Sequence, residues 1–434
     1  MIKALFKHIY KYYKDTFILA IAGVAVGVLV GLVDAAFGLG LNACTAIRTK
    51  YFWYLIWFLP LGGVFVWFIY HQFGKSVANG MKLVFHVGLG KNSKLPIRMV
   101  PLAVIGTWTT HLFGGSAGRE GVAVQIGAAV SNNVGRLVDK TIDIENSRKM
   151  FLITGMAAGF SGLFCTPLAA IFFALEVLVA GKLEYHALIP ATVASISAAF
   201  TSRALGLRKF HINILETLNY HPSTYNAVFL LKLAAMGLCF GIVGSLFALI
   251  LRYLRLKFAF RFSSPVKKVL IMGAVIAVLM MAFHQGRYSG TGSNLVALCF
   301  DGITDDIYAY DWILKMALTI LTLSSGFIGG EVAPLFSIGS CLGYVLGPVF
   351  GFDPMFGAAL GFASVFCSGS NTLLAAILVG VESFGYNMLP FFSVVCFVSF
   401  IFNFNNSIFT AQRVAFTHPV RHQRLKQRIA PKEN

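Results

Sequence analysis

Charge is scarce in this 434-residue sequence: Asp, Glu, Lys and Arg together make up only 12% of it. An ordinary soluble domain carries about twice that, ~25%. A soluble fold needs charged side chains to cover its surface, so a string of soluble domains is excluded. Acids are scarcer still, with 17 Asp and Glu against 35 Lys and Arg, a net charge of +18. That excess alone would suit a nucleic-acid binder. Such a protein spreads its basic residues over a wettable fold, and here long stretches have none, so nucleic acid is excluded as a partner. The seven cysteines (Cys44, Cys165, Cys239, Cys299, Cys341, Cys367 and Cys396) include no CxxC pair. Most lie in apolar runs and read as small packing residues, not as a disulfide frame. The ten histidines form no ligand cluster, and there is no Walker A motif or nucleophile triad. No cofactor or metal is therefore expected, and an enzyme is not. Lysines run through the opening MIKALFKHIYKYYKD, which excludes a secretory signal.

Apolar length is abundant. Hydrophobic residues make up 57% of the chain and the mean hydropathy is +0.76. A membrane-spanning helix needs about 20 apolar residues. Candidate segments are 16–41, 51–72, 97–113, 121–135, 150–180, 187–200, 224–251, 268–284, 310–328, 332–351, 355–380 and 388–411. Several are too short to cross alone, and others are broken by some of the 43 glycines, as in GGSAGREG (114–121) and SGFIGG (325–330). Broken backbone at membrane depth is tolerable only where protein or a polar cavity meets its N–H and C=O groups. The expected fold class is thus an all-α polytopic membrane protein whose broken and re-entrant helices line a site.

The ends are basic. Lys3, Lys7, Lys11 and Lys14 recur at helical spacing beside Leu5, Phe6, Ile9, Tyr10 and Tyr13. This predicts an amphipathic helix over 1–15 on the membrane surface. The tail 413–434 carries Arg413, Arg421, Arg424, Lys426, Arg428 and Lys432 against Glu433, and is too short for a soluble regulatory domain. The positive-inside rule places both ends in the cytoplasm.

The chain repeats itself. GMAAGFSGLFCTPLAAIFFALE (155–176) aligns without a gap to GFASVFCSGSNTLLAAILVGVE (361–382), and GREGVAVQIG (118–127) to GEVAPLFSIG (330–339). Two matches in the same order at nearly the same offset imply two related halves, 16–205 and 222–412, joined by a polar loop, 206–221. With both ends on one side and an odd number of crossings in each half, the second half is inverted and an ion site falls between them.

The scarce acids mark that site. Arg119–Glu120 opens the helix predicted over 121–135, and Glu331 opens its counterpart. A charge inside the bilayer is expensive, ~2.5–3.5 kcal/mol or more, and usually functional. A helix N-terminus binds anions through free N–H groups and its dipole. A carboxylate there can occupy the anion's own place, competing while ionised and leaving when protonated. The alternatives are a structural ion pair at Arg119–Glu120 and a plain helix cap at Glu331. Glu176 and Glu382, at matching repeat positions, are expected to cap or pair with a neighbouring helix. Asp34 is expected to bond across helices or to end the first span.

GREGV (118–122) resembles the GREGP motif of the CLC chloride channel and transporter family, and GGEVAP (329–334) its GGxFxP motif. The resemblance covers nearly the whole chain. It implies a CLC-type fold of about eighteen helices in two inverted repeats, with Glu120 as the gating glutamate. The anion-binding positions it implies are Gly118, Arg119, Gly121, Val122, Gly330, Val332 and Ala333. Met81 falls where the family has an anion-coordinating serine. The family's central tyrosine falls on Phe409 or Ser407, and the sequence leaves that choice open. Met81, Val122 and Glu331 together are similar to the fluoride/proton antiporter branch, although that branch usually has Thr where Ala333 stands. Chloride/proton exchangers carry an acid where Val177 stands, so their internal proton route is missing and Glu331 is the candidate second proton acid.

The expected function is fluoride/proton antiport exporting fluoride, with fluoride or chloride and protons as the transported partners. The alternatives are a chloride/proton antiporter or a passive chloride channel of the same fold. A membrane enzyme would need a base beside Glu120, where only His111 is near. The expected setting is a bacterial inner membrane, and the resemblance implies a homodimer whose face is built partly from 187–200 and its counterpart.

Overall fold

The computed structural model describes residues 2–91, 94–139, 146–218, 226–301 and 306–415, with side chains from Tyr13 on. Among these residues, helices of eight residues or more fall into two sets of eight. The first set is α1 (Ile2–Lys50), α2 (Leu59–Phe73), α3 (Met81–Gly88), α4 (Met99–Leu112), α5 (Glu120–Val138), α6 (Ser147–Phe164), α7 (Pro167–Glu176) and α8 (Leu188–Ala204). The second is α9 (Ala227–Arg261), α10 (Pro265–Ala282), α11 (Ser293–Phe300), α12 (Asp311–Ser325), α13 (Val332–Val349), α14 (Pro354–Ser370), α15 (Leu373–Phe384) and α16 (Leu389–Ile401). Val179–Ala180 and Arg413–Val414 form a two-stranded parallel ladder. The backbone of the expected amphipathic helix continues without a break into the first span as α1. Most of its amphipathic face, the basic tail beyond residue 415 and the end of the connecting loop lie outside the described residues.

Among the described residues, five helical stretches are long and apolar enough to cross a membrane: Tyr13–Lys50, Phe52–Phe73, Ala227–Arg261, Pro265–Ala282 and Val332–Val349. The predicted spans 150–180 and 355–380 each break in two. Cys165 and Asn371, at equivalent repeat positions, both take φ 56° and end α6 and α14 in the left-handed region. Asn tolerates that conformation through its short polar side chain. The next helices, α7 and α15, have 10 and 12 residues. At 1.5 Å per residue they reach roughly half of the ~30 Å hydrocarbon layer.

Glycine sets the spacing of the central helices. A Cβ on Gly127 of α5 would stand 2.0 Å from the Gly155 carbonyl oxygen of α6. Their repeat counterparts Gly339 and Gly361 give 2.1 Å between α13 and α14. Small residues at such crossings let two backbones touch, the usual basis of helix packing in membranes.

The two halves also exchange caps. The Glu176 carboxylate, at the end of α7, accepts from the N–H groups of Leu374 (3.3 Å) and Ala375 (2.8 Å) at the start of α15. The Glu382 carboxylate, at the end of α15, accepts from Leu168 (3.2 Å) and Ala169 (2.9 Å) at the start of α7. Each acid therefore satisfies the orphan donors of the other half's helix, the capping role expected of both. Such an exchange of equivalent contacts is the mark of a two-fold relation between the inverted repeats.

Asp34 departs from expectation. It does not end the first span, since α1 runs on to Lys50. It does not bond across helices either: both carboxyl oxygens are buried without a hydrogen-bond partner. It packs against Gly162 of α6, where an added Cβ would meet Asp34 Oδ2 at 2.5 Å. A glycine leaves room for the carboxyl and offers it no side-chain donor.

Candidate functional site

The N-termini of α5 and α13 meet at the seam between the halves. Gly118 N–H donates to the Gly330 carbonyl (2.7 Å) and Gly330 N–H to the Gly118 carbonyl (2.8 Å). A Cβ on Gly118 would stand 2.8 Å from Pro334 Cδ and 3.0 Å from the Ala333 nitrogen. A side chain at either glycine would push the two helix starts apart. The two motifs thus become one site, containing Gly118, Arg119, Glu120, Gly121, Gly330, Glu331, Val332 and Ala333.

Glu120 begins α5 and is 2% exposed. Its Oε2 accepts from the Ala333 N–H at 3.0 Å and from the Arg119 N–H at 3.2 Å. The Arg119 guanidinium Nε lies 3.6 Å from Oε1. A carboxylate of the first half therefore sits on the helix N-terminus of the second, where free N–H groups and the dipole favour negative charge. Val122 and Val332, close by in the two helix starts, are each 1% exposed.

Glu331 is the N-cap residue of α13. Its Oε1 accepts from Arg255 Nη2 of α9 at 2.7 Å. Its Oε2 faces Gly121 and would be 3.8 Å from a Cβ there. Glu331 thus stands between the start of α5 and a cation near the end of α9. Sequence reasoning missed Arg255, which is 76 residues away. The only signal was its place in the basic run Arg252, Arg255, Lys257 and Arg261.

Met81 begins α3 after Gly80, which has φ +48° and lies against Gln125 of α5, 3.3 Å from an added Cβ to Oε1. Met81 is half-buried and packs on the main core. Of the two residues left open for the central tyrosine, Phe409 supplies the ring. It is 5% exposed, stacked on Phe85 of α3 (centroids 5.3 Å apart) and edge-on to Phe173 of α7 (6.1 Å). The Ser407 hydroxyl is committed to backbone, donating to the Ser370 carbonyl at 3.2 Å and accepting from the Phe409 N–H at 3.1 Å. Met81 and Phe409 both pack on the main core, Met81 at the start of α3 and Phe409 against Phe85 of the same helix.

Arg119 also faces a cleft of about 440 Å³, lined with Asn42, Thr45, Arg208, Thr291 and Ser293 among others. Guanidinium and hydroxyl groups there suit an approaching anion. Behind it, Lys315 is fully buried, and its Nζ donates to Ser116 Oγ (2.9 Å), the Tyr288 carbonyl (3.0 Å) and the Gly290 carbonyl (2.7 Å). Arg48 donates to the His111 carbonyl at 3.1 Å. Lys315 thus ties Ser116, in the glycine loop that leads to Glu120, to the Tyr288–Gly290 segment, and Arg48 holds the end of α4. Nothing in the local sequence of Lys315 signals that role, because its partners come from two other segments. His111, the one base near Glu120 in sequence, is fully buried with neither ring nitrogen hydrogen-bonded. Among the described residues no His, Cys, Asp and Glu cluster could hold a metal ion.

Residues 62–403 match the voltage gated chloride channel family. The chain is 35% identical over 415 residues to a chloride/fluoride channel protein of Pseudomonas syringae pv. tomato, covering 95% of this chain and 89% of that one. Its fold is similar to the crystal structure of a CLC-type fluoride/proton antiporter, at TM-score 0.87 and 44% identity, covering 93% of this chain and 99% of the other. A slow cyanobacterial Cl⁻/H⁺ antiporter shares the fold at TM-score 0.75 and 19% identity, over 89% and 94% of the two chains. With two half-chains sharing a glycine-clamped helix seam and a family match over most of its length, this multi-pass membrane protein belongs to the voltage gated chloride channel (CLC) family of anion transporters.

Proposed function

We propose that this protein exchanges fluoride for protons, exporting fluoride across a bacterial inner membrane. The observation that carries the proposal is the Glu120 carboxylate seated on the Ala333 N–H at 3.0 Å. Ionised, Glu120 closes the anion's place. Protonated, it is neutral and yields the N–H groups to an anion, so one side chain couples the two ions. An inward proton gradient then drives the anion out. The fluoride assignment is supported by Met81, Val122 and Glu331 and by 44% identity to a protein described as a fluoride/proton antiporter. Val177 comes directly after Glu176, whose own carboxylate is occupied in capping α15. Protons therefore pass by Glu331, which faces Gly121 from the neighbouring helix start.

The basic ends belong on the cytoplasmic side by the positive-inside rule. The protein works as a homodimer with one pore in each subunit. Exposed Ile196 and Phe200 of α8 and Phe397 and Ile401 of α16 provide the apolar face.

A second reading, chloride/proton exchange or passive chloride flow, is favoured by Ala333, and Val177 favours the passive form of it. The experiment that separates them loads purified protein into liposomes with a fluoride gradient and follows fluoride and pH with electrodes. Fluoride efflux with proton counterflow is expected. Equal chloride movement would sink the fluoride assignment, and fluoride flow without protons would leave a channel.

A further inference from the structure

The first residue after each clamped glycine differs between the halves. Arg119 comes after Gly118, whereas Glu331 comes after Gly330. One mouth of the seam thus presents a cation, and the matching place holds an acid, which would repel an anion. Arg255 reverses that, binding Glu331 Oε1 at 2.7 Å. The burial of the pair is uneven. The Glu331 side chain is 12% exposed and that of Arg255 35%, so Arg255 is the more accessible partner. The last turns of α9 hold Arg252, Arg255, Lys257 and Arg261 and no acid. A guanidinium that lets go of Glu331 has no other carboxylate on its own helix. The second carboxylate oxygen of Glu331 points the other way, toward Gly121 at the start of α5.

We propose that Arg255 is an exchangeable counter-ion for Glu331. It holds the ionised carboxylate and gives it up when an anion takes the guanidinium. This deepens the antiport reading above and rests on it. The exchange needs no covalent step. The guanidinium trades a carboxylate for the arriving anion, and Glu331 takes the proton that Glu120 releases. The anion then moves on toward the place of Glu120, Arg255 draws Glu331 back, and the proton departs to water at that mouth, opposite to the anion. Arg255 is thus a positioning and anion-receiving residue. A charge-assisted hydrogen bond of this kind is a strong one, and it is kept only while both partners are charged.

Arg255→Gln, Arg255→Lys, Glu331→Gln and the Arg255→Gln/Glu331→Gln double variant test this in the liposome assay. Arg255→Gln is expected to raise the half-saturating fluoride concentration about tenfold, the scale of one charge-assisted contact. It should also lower the protons moved per anion as far as Glu331→Gln does. Arg255→Lys keeps the charge and should stay near wild type in both readings. The double variant leaves no unpaired charge to threaten folding and should couple no worse than either single one. Unchanged half-saturation and coupling in Arg255→Gln would overturn the proposal. So would losses of coupling that multiply in the double variant, since independent residues behave that way. If the wild type moves chloride and not fluoride, the fluoride assignment alone falls, and the same comparisons are read with chloride. A wild type that moves no anion overturns both.

Discussion

Glu120 and Ala333 lie 213 residues apart in sequence and 3.0 Å apart in space, carboxylate oxygen to backbone nitrogen. The contact joins the two halves at the N-terminus of α13. Glu120→Gln keeps the shape and removes the titrating charge. Anion flow is expected to persist while proton counterflow falls at least about tenfold, a difference of ~1.4 kcal/mol or more in the coupled step. Simultaneous fluoride and pH recordings check this. A normal exchange ratio in the variant would remove Glu120 from its role.

The exchanged caps are expected to be structural. Glu176→Ala or Glu382→Ala leaves two backbone donors of a short helix without a partner. Hydrogen bonds to charged groups contribute about 1.5–3 kcal/mol each to stability, so each variant should melt earlier in detergent. If either variant unfolds with the wild-type midpoint, the cap is not holding the halves together.

Glycine crossings allow a matched comparison. Gly127→Ala and Gly339→Ala each force a methyl group toward a carbonyl oxygen that would lie at 2.0 and 2.1 Å. Overpacking of this kind costs about 1–3 kcal/mol. The two variants are expected to be destabilised to a similar degree, because the same contact recurs in both halves. Thermal unfolding read out by size-exclusion chromatography measures it, and tolerance at either position would contradict the packing.

Met81→Ser and Phe409→Tyr each add a hydroxyl where the family pattern places one. Serine and tyrosine are the general family pattern at these two places, from which Met81 and Phe409 depart. Both variants are expected to raise chloride flux relative to fluoride. Chloride and fluoride efflux from the same vesicle preparation give the ratio, and an unchanged ratio in both would place neither residue on the anion's route.

Much of this site can be read from the chain itself. GREGV and GGEVAP are short, contiguous and opened by glycine, so their chemistry is local and shows in sequence. The repeat offset then says which residues are partners, as with Glu176 and Glu382, although not that each reaches across to the other half. The hidden contacts are those between distant segments. Arg255 meets Glu331 only because α9 returns beside α13, and Lys315 meets Ser116 and Gly290 only after three segments converge. Asp34 misled for the opposite reason. An acid in an apolar run implies a partner, yet the groove opposite it is formed by a glycine.

The backbone pairing of Gly118 with Gly330 uses no side chain. A seam of that kind is indifferent to the identity of the neighbouring side chain, so the residue after each glycine is free to diverge without parting the halves. One copy carries Arg119 and the other Glu331. A seam made of two equivalent glycines has thereby come to carry opposite charges on its two strands, so the symmetry that holds the halves together does not extend to their electrostatics.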